Sequence, residues 1–312
     1  MTVRWTSLDV SMVKPWSDLI NILAVADETE EFYEPDDLVE DLAEEAITPE
    51  LDTVGVWDGD RLVGYGYVRV QGGLYQGQVM TYLGGGVHPE YRGQGIGRQL
   101  MDRMEARTME LAAQRHPGVE VMLRASGNLE GASVRPMLEH RGYVQTRFFH
   151  DMRLPLPATL DLAGLPAVQP FTNELSEQTR LAHNEAFAEH WASTGRDETN
   201  WSEFIGSRAM RPALSFIAVA EDGQVDAYTI TREYVAGEAY VDLVGVRPRA
   251  RHRGLARACL GSAVNAASAA GFSKIELGVD TENAQGAGGL YASMGFEVIR
   301  LSCAYTKVLP AQ

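Results

Sequence analysis

The sequence predicts a mixed α/β protein in which one fold occurs twice in tandem. Its 312 residues are enough for two domains, at about 100–200 residues per domain, and each can bury a core. The segment VHPEYRGQGIG at 87–97 is repeated as VRPRARHRGLA at 246–256, close to half a chain length further on. Around both copies, helical, hairpin, strand, loop and helix signals follow in the same order, which is typical of an α/β class fold.

A proline-rich stretch, LPLPATLDLAGLPAVQP, lies between the two copies at 154–170. Because proline has no backbone N–H, this stretch is disfavoured as a packed helix or a central strand. We therefore predict an N-terminal domain at 1–154, a linker at 155–170 and a C-terminal domain at 171–312.

Each element of the repeat has its own sequence signal. Helical stretches are predicted first, at 17–46 and 173–208. An Asp-Gly pair between alternating apolar residues is typical of a β-hairpin, and such pairs occur at Asp58–Gly59 and Asp222–Gly223. The remaining elements are apolar strands at 78–87 and 239–246, helices at 96–113 and 255–270, strands at 120–125 and 274–279, then a helix and a last β segment in each half.

The net charge of −16 excludes some classes of partner. Nucleic-acid binders normally present a basic face, and anionic membranes attract basic segments, so we expect neither partner. The charge is concentrated, since residues 27–52 hold thirteen acidic residues and no lysine or arginine. This acidic segment either attracts a cationic substrate or keeps the protein in solution, and the sequence leaves both open.

Cysteine content and hydropathy exclude further classes of protein. Two cysteines, Cys259 and Cys303, are too few for a disulfide framework or a zinc cluster, and no metal site is predicted. No apolar run has the length of a signal peptide core or of a membrane span. We expect a cytoplasmic protein, and the sequence leaves its oligomeric state undetermined.

The strongest chemical signal is the strand, glycine-containing loop and helix at 240–267. Gly254 and the small Ala256 allow the backbone to approach a ligand closely. Loop N–H groups and the start of the next helix then point to one place, which makes an anion site. The loop is not a Walker A motif, because no Gly-Lys-Ser/Thr follows, and it lacks the three glycines of a Rossmann fingerprint.

These residues carry a family resemblance. Arg251–Ala256 and Arg92–Gly97 resemble the Arg/Gln-x-x-Gly-x-Gly/Ala loop of the GNAT superfamily of acyl-CoA-dependent N-acyltransferases. The later stretch from Asn283 through Tyr291 to Gly295 and Phe296 resembles that family's Asn…Leu-Tyr-x-x-x-Gly-Phe helix. The resemblance implies two tandem GNAT folds, each a mixed, mostly antiparallel sheet with flanking helices and a splayed parallel strand pair.

The resemblance also implies acetyl-CoA as the co-substrate, with no metal. In the family, loop amides hold the CoA pyrophosphate and pantetheine lies between the splayed strands. The implied CoA-binding residues are Val87, Arg92, Gly93, Gln94, Gly95, Ile96 and Gly97 in the first half, and Val244, Gly245, Val246, Arg251, His252, Arg253, Gly254, Leu255, Ala256 and Asn283 in the second.

Charge around the second loop agrees with this assignment. Five arginines lie between positions 247 and 257 with no acidic residue among them. Such a cluster suits the phosphates of CoA, although a solvated basic turn is the plainer interpretation.

Proton-transfer candidates are found in the second half. Tyr291 occupies the family's tyrosine position and is the candidate acid for the departing thiolate, or else a core residue, whereas the first half has Leu138 there. Asp242 is the first candidate for the base and Glu238 the second. Tyr240 stands where relatives often have the base, and a purely structural role for Asp242 stays open. The C-terminal domain is therefore predicted to be catalytic, and the N-terminal domain to be structural, to bind CoA without turnover, or to form part of the substrate wall.

The predicted function is N-acetylation of a small-molecule primary amine by acetyl-CoA. The tandem layout also resembles the mycothiol synthase family, which acetylates a cysteinyl aminosugar, although Tyr240 replaces the glutamate of that family. The sequence leaves two further functions open, a CoA-binding sensor or scaffold without turnover and a protein lysine acetyltransferase, since a fold alone does not determine a substrate.

Overall fold

The computed structural model describes residues 2–282 and 286–311 and has two compact units. The N-terminal unit comprises Met1–Phe148 and Ser302–Gln312, and the C-terminal unit comprises Phe149–Leu301. Each unit combines a mixed sheet with flanking helices, so the predicted α/β class and its duplication are confirmed.

The N-terminal unit is built on a sheet with the strand order β1-β2-β3-β4-β5-β12. All neighbours are antiparallel except β4 and β5, which are parallel. Its elements are β1 (Arg4–Thr6), α1 (Val13–Ala26), α2 (Pro35–Ala43), α3 (Pro49–Asp52), β2 (Thr53–Asp58), β3 (Arg61–Tyr75), β4 (Gln78–Val87), α4 (Ile96–Arg115), β5 (Val121–Leu129), α5 (Val134–His140), the first part of β6 (Val144–Pro155) and the last part of β12 (Glu297–Leu309).

The C-terminal unit repeats this plan with the order β6-β11-β10-β9-β8-β7. Its parallel pair is formed by β10 and β11. Its elements are the rest of β6, β7 (Gln169–Pro170), α6 (Ser176–Ala186), α7 (Glu198–Gly206), β8 (Phe216–Val219), β9 (Val225–Val235), β10 (Glu238–Val246), α8 (Leu255–Ala269), β11 (Lys274–Asp280), α9 (Ala287–Ser293) and the first part of β12.

Apolar periodicity explains why the helices pack on the sheets. In α1, the apolar positions Trp16, Leu19, Ile20 and Leu23 recur at helical spacing and are all buried. In α8, small residues such as Ala263 and Ala267 lie at the buried face, so the helix approaches its sheet closely. The long predicted helical stretches are broken in both units: residues 27–34 and 187–197 separate α1 from α2 and α6 from α7.

The last strands differ from the expectation that each half closes on itself. Residues Phe149–Pro155 of β6 pair with β11 in the C-terminal unit. Residues Ser302–Leu309 of β12 pair with β5 in the N-terminal unit, where Cys303 and Tyr305 enter the core. The ends of the two halves are therefore exchanged, and the unit boundary falls at Phe148 rather than at residue 154.

The predicted linker is an ordered part of the C-terminal unit. Ala158 N donates to Ser268 Oγ at 2.7 Å and Leu160 N donates to Asn265 Oδ1 at 2.8 Å. Leu162 also contacts α8, where a Cβ on Gly261 would lie 2.6 Å from Leu162 Cδ2. Residues 156–168 form no regular element, and side chains of α8 bond the backbone groups of Ala158 and Leu160 in place of a helix or strand partner.

Within the part of the chain that the structure describes, no helix has the length and apolar character needed to cross a membrane.

We predict that Tyr305→Ala lowers the free energy of unfolding by about 3–5 kcal/mol, the usual cost of deleting a buried aromatic side chain. Tyr305 is buried in the N-terminal core and its hydroxyl donates to Glu139 Oε1 at 2.8 Å. Urea denaturation measures the loss, and hydrogen exchange locates it. Val308→Ala, on the exposed side of the same strand, is the control and should change stability by less than about 0.5 kcal/mol. Loss of protection confined to the C-terminal unit would contradict the exchange of strands.

Candidate active site

The loop between β4 and α4 has the geometry of an anion-binding turn. Gly93 and Gly95 have φ of 74° and 83°, a left-handed conformation that glycine adopts without steric cost. Gly95 is the N-cap of the 20-residue α4, whose first N–H groups have no acceptor within the helix. These N–H groups and the positive end of the helix dipole favour a bound phosphate. Of the predicted residues, Arg92–Gly95 belong to this turn, and Ile96 and Gly97 begin α4.

Arg92 connects this turn to the acidic segment. Its Nε donates to the Val87 carbonyl at 3.0 Å, and its two terminal nitrogens donate to both carboxylate oxygens of Asp27 at 2.8 and 2.7 Å. This two-pronged pair compensates the arginine charge and fixes residue 27 beside the loop. Arg98, in the first turn of α4, is exposed on the same side.

The parallel strands β4 and β5 separate where the sequence has three consecutive glycines. Their pairing extends from Val79–Val121 to Leu83–Ala125, and Gly84 follows directly. A Cβ on Gly84 would lie 2.2 Å from Tyr67 Cζ, and one on Gly86 would lie 2.3 Å from Leu23 Cδ1. A side chain at Gly84 or Gly86 would have to displace Tyr67 or Leu23, which agrees with the close backbone approach predicted from the sequence.

A cavity of about 760 Å³ extends from the turn along this gap. Its wall includes Gly84–Val87 and Arg92–Gly95 at one end. At the other end the wall consists of aromatic residues from α1, β3, β4 and the segment before α2, which we call the tyrosine chamber: Trp16, Tyr33, Tyr65, Tyr67 and Tyr82.

The rings of the tyrosine chamber form a connected wall. The ring centroids of Trp16 and Tyr65 are 5.8 Å apart, those of Tyr65 and Tyr67 are 6.5 Å apart and nearly parallel, and those of Tyr67 and Tyr82 are 6.0 Å apart. Burial is the main reason that the pKa of each of the four tyrosines is raised. The phenols therefore stay protonated at neutral pH and can donate hydrogen bonds, but cannot act as bases.

Carboxylates lie beside the tyrosine chamber. Asp41 and Glu44 share the guanidinium of Arg69, at 3.0 and 3.1 Å. Glu31 lines the cavity, and its charge contributes to the raised pKa of both Tyr65 and Tyr82. Part of the acidic segment predicted from the sequence therefore lines the cavity, together with Asp27 and Asp52.

The corresponding loop of the C-terminal unit has a similar backbone conformation, but its arginines have different charged partners. Gly254 has φ of 79° and caps the 15-residue α8. Arg249 donates to Asp226 at 2.8 Å and to Asp222 at 3.2 Å. Arg253 lies 3.8 Å from Asp226, and Arg247 bonds Glu185 at 2.5 Å. Acidic residues distant in sequence thus compensate three of the five arginines in the cluster.

The other CoA-binding candidates of this unit occupy equivalent places. Leu255 and Ala256 begin α8, and Arg251 and His252 belong to the loop. Val244, Gly245 and Val246 lie on β10 beyond Val241–Leu277, where its pairing with β11 ends. A Cβ on Gly245 would lie 2.3 Å from Tyr228 Cε1. Asn283 lies outside the described residues.

The predicted proton-transfer residues are engaged with different partners. Asp242 Oδ2 accepts the Tyr234 hydroxyl at 2.9 Å and lies 2.8 Å from Arg232 Nε. Burial raises the pKa of Asp242 despite Arg232. Glu238 Oε2 lies 2.9 Å from Lys274 Nζ. Tyr291 belongs to the core, and burial raises its pKa to about 12. The structure therefore does not bring Asp242 and Glu238 to a common partner.

The sequence predictions did not include the tyrosine chamber. One signal was available in Gly64-Tyr65-Gly66-Tyr67, because alternate residues of a strand share a face. The other members come from elements that no short motif connects.

Comparison with known proteins agrees with this geometry. The model of the acetyltransferase (GNAT) family matches residues 16–130 and 175–296. A mycothiol acetyltransferase of Nocardiopsis dassonvillei is 28% identical over 278 residues, covering 76% of each chain, and one of Streptomyces bingchenggensis is 30% identical over 230 residues, covering 70% of each. The mycothiol acetyltransferase of Renibacterium salmoninarum is 29% identical over 67% of this chain, which spans 62% of that relative's length.

Solved structures share the fold. A GCN5-related N-acetyltransferase from Sphaerobacter thermophilus superposes with a TM-score of 0.75 at 24% identity, covering 99% of this chain and 96% of that one. A tandem GNAT protein from the clavulanic acid biosynthesis pathway gives 0.65 at 19% identity over the whole of both chains. Because the family model matches both halves and more than half of the residues, this chain belongs to the GNAT family of acetyltransferases, enzymes whose co-substrate is acetyl-CoA or another acyl-CoA.

Proposed function

We propose that this protein transfers an acetyl group from acetyl-CoA to a primary amine of a small molecule, and that the transfer takes place in the N-terminal unit. The observation that carries this proposal is the continuous cavity from the Arg92–Gly95 turn to the tyrosine chamber. Such a shape can hold a long co-substrate and an acceptor end to end, and its volume is in the range of small-molecule sites.

The residues at the first end of the cavity fit the phosphates of CoA. Backbone N–H groups of the turn and of the first residues of α4, with Arg98 nearby, supply donors and positive charge for the pyrophosphate. Beyond Leu83 and Ala125, β4 is no longer paired with β5, so its edge groups at Gly84–Val87 are available to the pantetheine amides. Bound there, acetyl-CoA supplies an activated thioester carbonyl.

Residues at the second end of the cavity can accept the proton of the amine. An amine attacks a thioester only when neutral, so its proton must leave. The tyrosines stay protonated and orient the substrate, whereas Glu31 and Asp41 are carboxylates at the same wall and can accept the proton directly or through water. Leu138 cannot donate a proton to the departing thiolate. Because a thiol has a pKa of only about 8.5, its thiolate leaves without prior protonation more easily than an alkoxide does.

Our sequence-based proposal that the C-terminal unit is catalytic, through Asp242, Glu238 and Tyr291, is the competing one. Two observations weaken it. Three of the five arginines in its loop cluster, Arg247, Arg249 and Arg253, lie against acidic residues, and Asp242 is held by Arg232 and Tyr234. A buried carboxylate that compensates a buried guanidinium has a structural role of its own.

The relatives favour one specific second candidate, the mycothiol acetyltransferase activity that their names print. The identity of 28–30% over two thirds or more of this chain supports it. The pocket residues that would select such an acceptor are those of the tyrosine chamber.

Matched glycine substitutions decide which unit holds acetyl-CoA. Gly95→Ala and Gly254→Ala each place a Cβ on a left-handed residue in the equivalent loop, a strain of roughly 1–2 kcal/mol. We expect Gly95→Ala to weaken CoA binding about tenfold or more and to lower kcat/KM for acetyl transfer by a similar factor. Gly254→Ala should leave kcat/KM within about twofold.

The measurements are calorimetric titration with CoA and thiol release from acetyl-CoA, with thermal unfolding of both variants as the test of folding. The reverse result, with activity lost only in Gly254→Ala, would contradict transfer in the N-terminal unit.

A second prediction concerns Asp242. Asp242→Asn removes the carboxylate from Arg232 and should lower the free energy of unfolding by about 3 kcal/mol, because a buried guanidinium loses its compensating charge. The activity of the folded fraction should be unchanged. Urea denaturation and acetyl transfer at saturating substrate measure the two effects. As a control, Asp222→Asn removes a half-exposed partner of Arg249 and should cost less than about 1 kcal/mol. A large fall in kcat with unchanged stability would contradict this structural role and support Asp242 as the general base.

A further inference from the structure

The geometry points to an acceptor with two positive charges: we propose that the tyrosine chamber selects a diamine, or another primary amine with a second cationic group, over a simple monoamine. This inference rests on the proposed function, because the chamber is the acceptor end of the same cavity. It adds the chemical class of the acceptor.

The aromatic rings of the chamber form a surface that suits a cation. Trp16, Tyr65, Tyr67 and Tyr82 follow one another with centroid separations of 5.8–6.5 Å, and Tyr33 lines the same cavity. The tyrosines of this set are only partly buried although they carry large apolar rings. Ring faces attract cations, and walls of several aromatic residues are the usual means of binding organic ammonium groups.

The charged groups beside the tyrosine chamber also favour a cation. Three carboxylates, Glu31, Asp41 and Glu44, lie near the chamber, and Asp41 and Glu44 share Arg69. A second cation, Arg124, acts on the chamber and lowers the pKa of Tyr82 against the stronger effect of burial. Among the described residues, these three negative groups outweigh the two positive ones and leave this end of the cavity acidic. A cationic group is therefore stabilised by both the rings and the field.

The opposite end of the cavity has the opposite character. Arg92 is compensated by Asp27, but Arg98 and the start of α4 add positive charge that suits phosphate. A molecule with two ammonium groups is therefore attracted to the far end and not to the CoA end. This polarity orients the acceptor, with one amine toward the thioester and the second charge within the chamber.

An unpartnered donor lies in the same wall. Trp16 is 3% exposed and lines the cavity, and its indole Nε1 has no hydrogen-bond acceptor among the described residues. A buried donor without an acceptor costs free energy in the folded protein. This N–H group can bind an acceptor atom of a substrate or a water molecule, and it adds nothing to the binding of an ammonium group, which is itself a donor.

The test compares 1,5-diaminopentane with 1-aminopentane, which differ only in the second ammonium group. We expect kcat/KM for the diamine to exceed that for the monoamine about tenfold, mainly through KM, and the preference to fall with added salt. Glu31→Gln should reduce the ratio to about two. Because a defect in proton transfer affects both amines alike, the ratio isolates recognition of the second charge.

Two matched controls accompany Glu31→Gln. Glu30→Gln removes the same charge from the neighbouring residue, which is exposed like Glu31 but does not line the cavity, and should leave the ratio unchanged. Tyr65→Phe keeps the ring and should keep the ratio, whereas Tyr65→Leu removes the ring and should lower it. Equal kcat/KM for the two amines, or a ratio that Glu31→Gln does not alter, would overturn the inference.

Direct calorimetric binding of 1,5-diaminopentane separates this inference from the proposed function. Binding that is weakened by Glu31→Gln, without acetyl transfer to either amine, would support the cationic chamber and reject the transfer. Acetyl transfer to both amines with equal efficiency would support the transfer and reject the second charge.

Discussion

The candidate site depends on the point at which β4 and β5 stop pairing. Up to Leu83 and Ala125 the two parallel strands satisfy each other's backbone groups. Beyond that point the sequence places Gly84-Gly85-Gly86, whose missing side chains leave room for Tyr67 and Leu23. The opened strand, the turn that follows it and the aromatic residues opposite it then enclose one cavity.

The glycine loops before α4 and α8 share their backbone conformation more closely than their charges. Gly95 and Gly254 have nearly the same φ and each begins a helix of at least four turns. The side chains around them differ, because Asp222 and Asp226 come from the β8–β9 region and bind Arg249, one of the five arginines that the sequence suggested for phosphate binding. A cluster of arginines in a sequence therefore does not by itself predict a positive electrostatic potential. The potential also depends on which acidic residues the fold places beside the arginines.

Local signals in the sequence predicted the regular elements well. The bounds of β4 and the start of α8 agree with the predictions, since both depend on short-range periodicity and on glycine at a helix start. Exchange of the last strands was not predictable, because β5 and β11 present equivalent edges and the local patterns of β6 and β12 suit either. The tyrosine chamber was missed for a similar reason: Trp16, Tyr33 and Tyr82 belong to three separate elements, and only the tertiary fold makes them neighbours.

The acidic segment shows how one compositional feature divides into separate physical roles. Asp37 and Glu34 form the capping box of α2, Asp52 binds Arg107, and Asp27 binds Arg92 of the phosphate turn. These pairings position the segment so that Glu31 and Asp41 reach the cavity. Acidic residues that served only to keep the protein in solution would need no such arginine or backbone partners. They would also have no reason to lie beside the aromatic rings of the cavity. The acidic segment is therefore divided between carboxylates that hold it in place and carboxylates, Glu31 and Asp41, that line the cavity.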